Sequence, residues 1–385
     1  MKVLQFHNEY VFPGGEDAVA ASEAAMLRSF GHDVIEYRRS NKELAASGPF
    51  HRSWFYLQNI YFSNAVYSQI RALIKKEKPD VAHFHNSFFM IGPAAYEACF
   101  DAKVPVIQSL HNYRFLCAAA TFYRHGQVCE ECLSRGRQAG IRHRCWRGSI
   151  VSTWLLTRVI REYEKRSILR RISRFMVSSD FSCRKFLEAG WDSGRIVVKP
   201  NFLDIDPGCG PFQGRHVLYA GTLQPYKGIA TLLEAWGSRF WPMPLKIVGT
   251  GPLEQELRSL GVGNIEWLGQ RSQGEVLSLM KDALCVVVPS ECYENFPRVI
   301  IEACACGVPV VASRLGAMAE LIQDGQAGLL FESGQPDKLA SAIGRLVSEP
   351  ALAAQMGLAA RRLFEERYTA SVNYDQLLHA YQQVM

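Results

Sequence analysis

The sequence predicts an α/β protein made of two doubly wound parallel-sheet domains. Three observations predict it. Short apolar runs alternate with helical patterns along most of the chain, the pattern of repeated strand–helix–strand units. That rhythm stops at a stretch rich in Gly and Pro, residues 204–214, and then restarts. The chain has 385 residues, more than one hydrophobic core usually supports.

The elements follow in order. Residues 3–6 read as a strand, Pro13-Gly14-Gly15 as a loop, 18–30 as an amphipathic helix ending near Gly31, and 34–37 as a second strand. Apolar runs at 81–84, 106–110, 175–178 and 196–198 complete the first set. Pro105 suits the first position of a strand, where no ladder donor is needed. The second set runs 216–219, 245–248, 265–267, 284–288, 308–312 and 328–331, and 371–384 reads as a terminal helix. The expected organisation is a first domain over 1–203, with a cysteine-containing insertion at about 117–145. A linker at 204–214, a second domain over 215–368 and a C-terminal segment over 369–385 follow.

Composition narrows the class. Hydrophobic residues make up 48%, enough for sizeable cores. No apolar run reaches membrane-spanning length, and the opening MKVLQFHNEY lacks the long apolar stretch of a signal peptide. A cytoplasmic protein is expected, so the eleven cysteines read as thiols rather than disulfides. Charge is uneven. Between Arg124 and Arg171 lie eleven arginines and one lysine against four glutamates, more than the whole chain's excess of +6. Such a stretch is either a solvated face or a surface for anionic partners.

Residues 289–313 are the most informative. A strand leads into a loop carrying Glu294, then a helix over 298–306 carrying Glu302, then Gly307, Pro309 and another strand. Glu294 falls at the carboxyl edge of the sheet, where open α/β sheets bind ligands. Ionised carboxylates accept hydrogen bonds from vicinal diols, so two of them suit sugar and ribose hydroxyls. The nearby helix N-terminus suits phosphate. Taken singly, either glutamate is also a plain acid near a helix start.

The whole string, Pro289, Ser290, Glu294, Glu302, Ala303, Ala305, Gly307, Pro309 and Val310, resembles the signature of the retaining nucleotide-sugar glycosyltransferases of family 4. The resemblance covers nearly the full chain. It implies the GT-B fold, two Rossmann-like domains, with the terminal helix crossing back to the first. The loop from Gly221 and Thr222 to Lys227 and Gly228 resembles the family loop whose Arg and Lys hold the donor diphosphate. Thr222 stands at the arginine position, and Arg298 is a candidate substitute or, equally, a helix-surface residue. Alone, Lys227 reads more readily as a solvated loop lysine. Gly249 and Gly251 resemble the family's glycine pair beside the nucleotide, and the loop with Arg271 resembles the one beside the base. Glu294, Asn295, Phe296, Pro297, Arg298 and Glu302 complete the implied donor site, with Gly15 against the diphosphate.

In the first domain, Gly14 and Gly15 resemble the family's Gly-Gly loop, and His111 matches the imidazole that contacts donor sugar and acceptor. His85 is a second acceptor-side candidate, or a hydrogen-bonded edge residue. The resemblance implies catalysis by His111, Glu294 and Lys227 with retained configuration and without a catalytic metal. The diphosphate itself helps to take the acceptor proton. Asp204-Ile-Asp206 has metal-motif spacing but lies at the linker.

Cys117, Cys129, Cys132 and Cys145 enclose a polar, basic segment, and the middle pair has zinc-knuckle spacing. Structural zinc is the expectation. An iron–sulfur or redox role and reduced, metal-free thiols stay open, with His125 and His143 as alternative ligands. Trp146, Trp154, Leu155 and Leu156 beside the arginines imply contact with an anionic membrane at the inner face. The expected partners are a nucleotide-diphosphate sugar and a lipid-linked or polysaccharide acceptor, as in cell-surface polysaccharide or lipopolysaccharide assembly, and no nucleic acid. Two other readings stay open: an epimerase or phosphorylase on the same fold, and a nucleic-acid-binding protein using the Cys/Arg segment.

Overall fold

The structure is a computed structural model that describes residues 1–11, 14–45 and 61–385. Pro13 lies outside the described residues. The chain forms two compact units. The first comprises Met1–Ala120, Glu130–Asp204 and Asn373–Met385, the second Thr121–Cys129 and Ile205–Val372. The cysteine-containing insertion therefore does not group as one piece.

The sheet of the first unit has six parallel strands in the order β2-β1-β3-β4-β7-β8. They are β1 (Lys2–Glu9), β2 (Asp33–Ser40), β3 (Val81–Phe84), β4 (Val106–Leu110), β7 (Arg174–Val177) and β8 (Ile196–Val198). β1 runs three residues beyond the apolar 3–6 stretch, because His7, Asn8 and Glu9 continue the ladder opposite Arg38, Arg39 and Ser40. The helix Gly15–Ser29 begins at Gly14, whose N–H donates to the Asp17 carboxylate at 2.7 Å. Stacked Phe6, Phe84 and Tyr96 fill the core beside β1 and β3.

The second unit repeats the plan with β11-β10-β9-β12-β13-β14, again all parallel. These are β9 (His216–Ala220), β10 (Leu245–Val248), β11 (Ile265–Gly269), β12 (Ala283–Val288), β13 (Val310–Ser313) and β14 (Gly328–Phe331). β13 starts after Pro309, which has no N–H to give the ladder, and its carbonyl accepts from Val286 instead. A short antiparallel hairpin, β5 (Tyr123–Arg124) with β6 (Gln127–Val128), belongs to this unit.

Residues 205–214 are packed rather than a free tether. A β-carbon on Gly214 would lie 2.1 Å from the Leu284 Cα, and the Gly210 N–H donates to the Cys306 carbonyl at 2.9 Å. The glycines that marked a linker in the sequence serve close backbone approach here. Asp206 pairs with Arg361 at 2.6 Å, so the Asp-x-Asp spacing is used for an ion pair.

Candidate functional sites

In the second unit the candidate residues gather at the carboxyl ends of β9, β10 and β12. Loop packing brings them together. Gly228 has φ +67, and a β-carbon there would lie 1.9 Å from the Pro289 carbonyl oxygen. Only glycine lets the loop after β9 press onto the loop after β12. The Glu291 N–H then donates to the Tyr226 carbonyl at 2.9 Å, and Thr231 donates to the Glu291 carboxylate at 2.5 Å. With the backbones so fixed, Lys227 Nζ reaches Glu294 Oε1 at 2.6 Å, and Ser290 Oγ donates to the same oxygen at 2.7 Å. Lys227 keeps its proton more tightly than usual: burial opposes its charge, and Glu294 outweighs burial. Gly249, with φ +127, is held against the Gly221 carbonyl in the same way.

One turn along the helix Arg298–Ala305, the Arg298 guanidinium lies 3.8 Å from Glu302 Oε1. Burial raises the Glu302 carboxyl and Arg298 opposes that rise. Arg298 Nε is buried and has no acceptor among the described residues. Thr222 is exposed, and its carbonyl accepts from the Tyr219 hydroxyl at 2.9 Å. Phe296 is buried edge-on to Tyr368, Pro297 caps the helix, and Arg271 is exposed with its Nε 3.9 Å from Glu275. The structure adds residues that the sequence did not announce. Phe122 and Tyr123 of the hairpin lie edge-on to Tyr293 and Tyr226, at 5.9 and 6.1 Å between ring centroids.

In the first unit the polar residues collect at the carboxyl ends of β1, β3 and β4. His85 Nδ1 lies 2.9 Å from His111 Nε2, so these two candidates are in direct contact. His85 is buried and His111 partly exposed. Burial and then His83 hold His85 down to about 3, and burial and then His85 push His111 well below the usual histidine range. Both rings are therefore neutral near pH 7.

His7, not singled out from sequence, holds Asp17 through Nε2 at 2.8 Å. Burial would raise Asp17, but the hydrogen bonds from His7, Gly14 and Tyr10 outweigh it and lower it. A β-carbon on Gly14 would meet only Asp17, at 3.9 Å, so the chain's own packing does not require glycine there.

Behind His85 sits Glu23, fully buried, with Lys199 Nζ at 2.9 Å, His83 at 3.0 Å and His85 at 3.3 Å. Burial would raise its carboxyl, but Lys199 first and the two imidazoles next hold it well below the usual range. Glu23, His83 and His85 could form a metal-ligand set, yet the Lys199 ammonium already supplies the cation at that carboxylate.

In the cysteine segment, the Cys117 thiol donates to Cys132 and, with backbone groups of Ala118 and Gly140, lowers Cys132 to about 6 against the effect of burial. His143 is paired with Glu131 at 3.2 Å, and His125 is exposed.

Comparison with known proteins decides the family. Residues 13–207 match the model of Glycosyltransferase Family 4, and residues 213–363 match Glycosyl transferases group 1. The chain belongs to glycosyltransferase family 4.

An uncharacterized glycosyltransferase of Methanocaldococcus jannaschii is 35% identical over 36% of this chain and 40% of its own. A phosphatidyl-myo-inositol mannosyltransferase of Mycobacterium tuberculosis is 33% identical over 54% and 58%. The chain thus spans about 40 to 60% of the length of these relatives. The Anabaena protein HepE, crystallised with UDP-glucose, superposes with a TM-score of 0.70 at 18% identity over 100% of both chains. That likeness supports the GT-B fold for this family 4 chain.

Two buried histidines make the fold acid-sensitive. His85 is held to about 3 and His216 to about 4, each first by burial. Unfolded, both titrate near about 6.5. Between those values the unfolded chain binds more protons, so stability falls as pH drops from about 6.5 towards 4. Calorimetry across that range should show a falling Tm, and a flat Tm would contradict the assignment.

Proposed function

We propose that the chain is a retaining glycosyltransferase that moves a sugar from a nucleotide-diphosphate sugar to a lipid-linked or polysaccharide acceptor. One observation carries the donor half of this reading. The loops after β9 and β12 set the acid–base pair Lys227–Glu294 at one sheet edge, and the helix that follows the second loop sets Arg298–Glu302. Lysine and arginine match a diphosphate, and the carboxylates match ribose and sugar hydroxyls. Arg298, with an unpartnered Nε, supplies the charge that Thr222 lacks. In this reading the protein cations take the part that a metal plays in other transferases.

His111, neutral and partly exposed, offers hydrogen bonds to uncharged hydroxyls of sugar and acceptor. Transfer then rests on positioning and charge stabilisation, with the leaving diphosphate taking the acceptor proton.

A lipid-linked acceptor is supported by the name of the mycobacterial relative, which acts on phosphatidyl-myo-inositol, and by the helix Ile150–Lys165. Ile150, Val151 and Trp154 are exposed on that helix. Arg158 lies over the Trp154 ring at 5.7 Å, and Arg147 over the Trp146 ring at 4.8 Å. Apolar residues flanked by arginines suit an anionic bilayer surface. No helix of the described residues is long and apolar enough to cross a membrane. Zinc in the cysteine segment is likewise a proposal, supported by the thiolate character of Cys132.

Three measurements test these readings. Titration calorimetry with UDP and GDP should show that Glu302→Ala loses about 1.5–3 kcal/mol, roughly ten- to a hundredfold, in nucleotide affinity. Glu294→Ala should bind the bare nucleotide normally and lose turnover. Equal affinity in wild type and Glu302→Ala would sink the ribose assignment.

Cosedimentation with vesicles containing phosphatidylglycerol should retain the wild type and release Val151→Ser/Trp154→Ser, with pure phosphatidylcholine retaining neither. Indifference to lipid charge would overturn the membrane reading. Elemental analysis of protein purified without a metal-affinity tag should find about one zinc per chain. Zinc-free protein with freely titrating thiols would replace the metal by reduced cysteines.

A further inference from the structure

Glu23 and Lys199 form an ion pair with no evident part in binding a sugar or a nucleotide. Glu23 is 0% and Lys199 4% exposed. Lys199 Nζ also donates to Asn373 Oδ1 at 3.0 Å, and Asn373 Nδ2 donates to the Pro200 carbonyl at 2.6 Å. The Tyr381 hydroxyl lies 2.8 Å from His83 Nδ1, and Ser109 Oγ 2.8 Å from His83 Nε2. Gln5 Nε2, anchored on the Ala20 carbonyl at 3.0 Å, lies 3.1 Å from His85 Nε2. A continuous buried chain therefore runs Lys199–Glu23–His85–His111, with His111 alone reaching the surface.

We propose that Glu23 and Lys199 are positioning residues for His111: the carboxylate orients the imidazole cluster, and the ammonium cancels its charge, so that His85 and His111 stay uncharged. The inference rests on the reading of His111 as a substrate-contacting group.

The physical argument is one of balance. A buried carboxylate 3.0–3.3 Å from two imidazoles draws a proton onto one of them. Lys199 at 2.9 Å opposes that pull. The charged and titratable groups facing His111 are His85 after β3, Glu23 on the helix Gly15–Ser29, His7 on β1, and Lys199 after β8. Just beyond them lie His83, Asp17 beside His7, and Glu16, which accepts from Tyr10 at 2.8 Å and more weakly from Asn112 at 3.5 Å. Among these, Lys199 is the one whose removal leaves Glu23 without a fixed positive charge. A protonated His85 would then place a cation 2.9 Å from the ring that meets the substrate.

The experiment is an NMR titration of 15N-histidine-labelled protein without substrate, paired with the pH profile of kcat/KM. In the wild type, the His85 and His111 rings should stay neutral from about pH 8 to 5. In Lys199→Met, a ring of the cluster should gain a proton and titrate above about pH 6, and kcat/KM should acquire a matching inflection. Glu23→Gln/Lys199→Met removes both charges and should restore flat titration and a flat profile. Asn373→Asp adds a carboxylate beside Lys199 with little change in volume. It should shift the rings as Lys199→Met does, and so serves if that variant does not fold.

A purely structural role would weaken the single and double variants alike, with no reversal. Rings that stay neutral in Lys199→Met and Asn373→Asp, or that titrate equally in the double variant, would overturn the proposal. Titration behaving as expected in a protein without transfer activity would instead overturn the proposed function.

Discussion

The first unit is organised about one buried charge. An ionised carboxylate taken out of water costs several kcal/mol unless cations and hydrogen-bond donors replace its hydration. Glu23 is carried by the helix Gly15–Ser29, and its compensation comes from His83 in β3, His85 just after it, and Lys199 just after β8. Asn373 and Tyr381, near the end of the chain, hold the lysine and the first histidine. Neutralising this group therefore brings together residues from the beginning, the middle and the end of the sequence. A pair of apolar side chains of similar volume often stabilises a core as well. What the ion pair adds is electrical, a fixed environment in which the neighbouring imidazoles keep their neutral form.

The second unit meets a different constraint, that of backbone approach. Its candidate residues sit on loops at one sheet edge and on the helix Arg298–Ala305, and the loops touch through glycines. Gly228 lies against the Pro289 carbonyl and Gly249 against the Gly221 carbonyl, so a side chain at either position would drive the loops apart. Because the backbones interlock, a lysine 67 residues away in sequence arrives 2.6 Å from Glu294. The order of causes runs from residue size to loop packing to charge pairing. A site built this way is preorganised, since little loop entropy remains to be lost when a ligand binds.

Much of this was legible in the chain itself. Two alternating strand–helix sets gave both sheets, and the apolar strands 81–84, 106–110, 196–198, 245–248 and 328–331 have the ends read from sequence. Their limits are clear because most of these runs are flanked by Pro, Gly or charged residues, as by Pro105, by Arg195 and Lys199, and by Pro244 and Gly249. β1 runs beyond its apolar stretch, since polar residues at its end pair with β2, which a hydrophobicity pattern does not show. The Arg298–Glu302 pair follows from helical i,i+4 spacing. Glu23 leaves a trace in the sequence, an acid on the apolar stripe formed by Val19, Ala20, Ala24 and Leu27. Lys199 left none, because its partner lies 176 positions earlier and no local pattern joins them. The hairpin aromatics were hidden for a similar reason, as Phe122 and Tyr123 meet residues more than 100 positions downstream.

The two units differ most in how they handle charge. The second keeps its charges partly exposed as paired acids and bases, and in the proposed reading each pair exchanges a protein partner for a charged ligand group. The first buries its charges in a self-compensating pair and presents a neutral imidazole outward. In a transfer reaction these are separate tasks. A diphosphate leaving group develops negative charge and needs cations that are already in place. An acceptor hydroxyl and a sugar are uncharged, and a cationic imidazole beside them could accept no hydrogen bond from the hydroxyl and would repel positive charge developing at the reacting carbon. A neutral ring can orient them without that penalty. The distribution of charge thus matches the proposed division of labour, donor in the second unit and acceptor in the first. It also gives the buried ion pair behind the imidazoles of the first a part in that division.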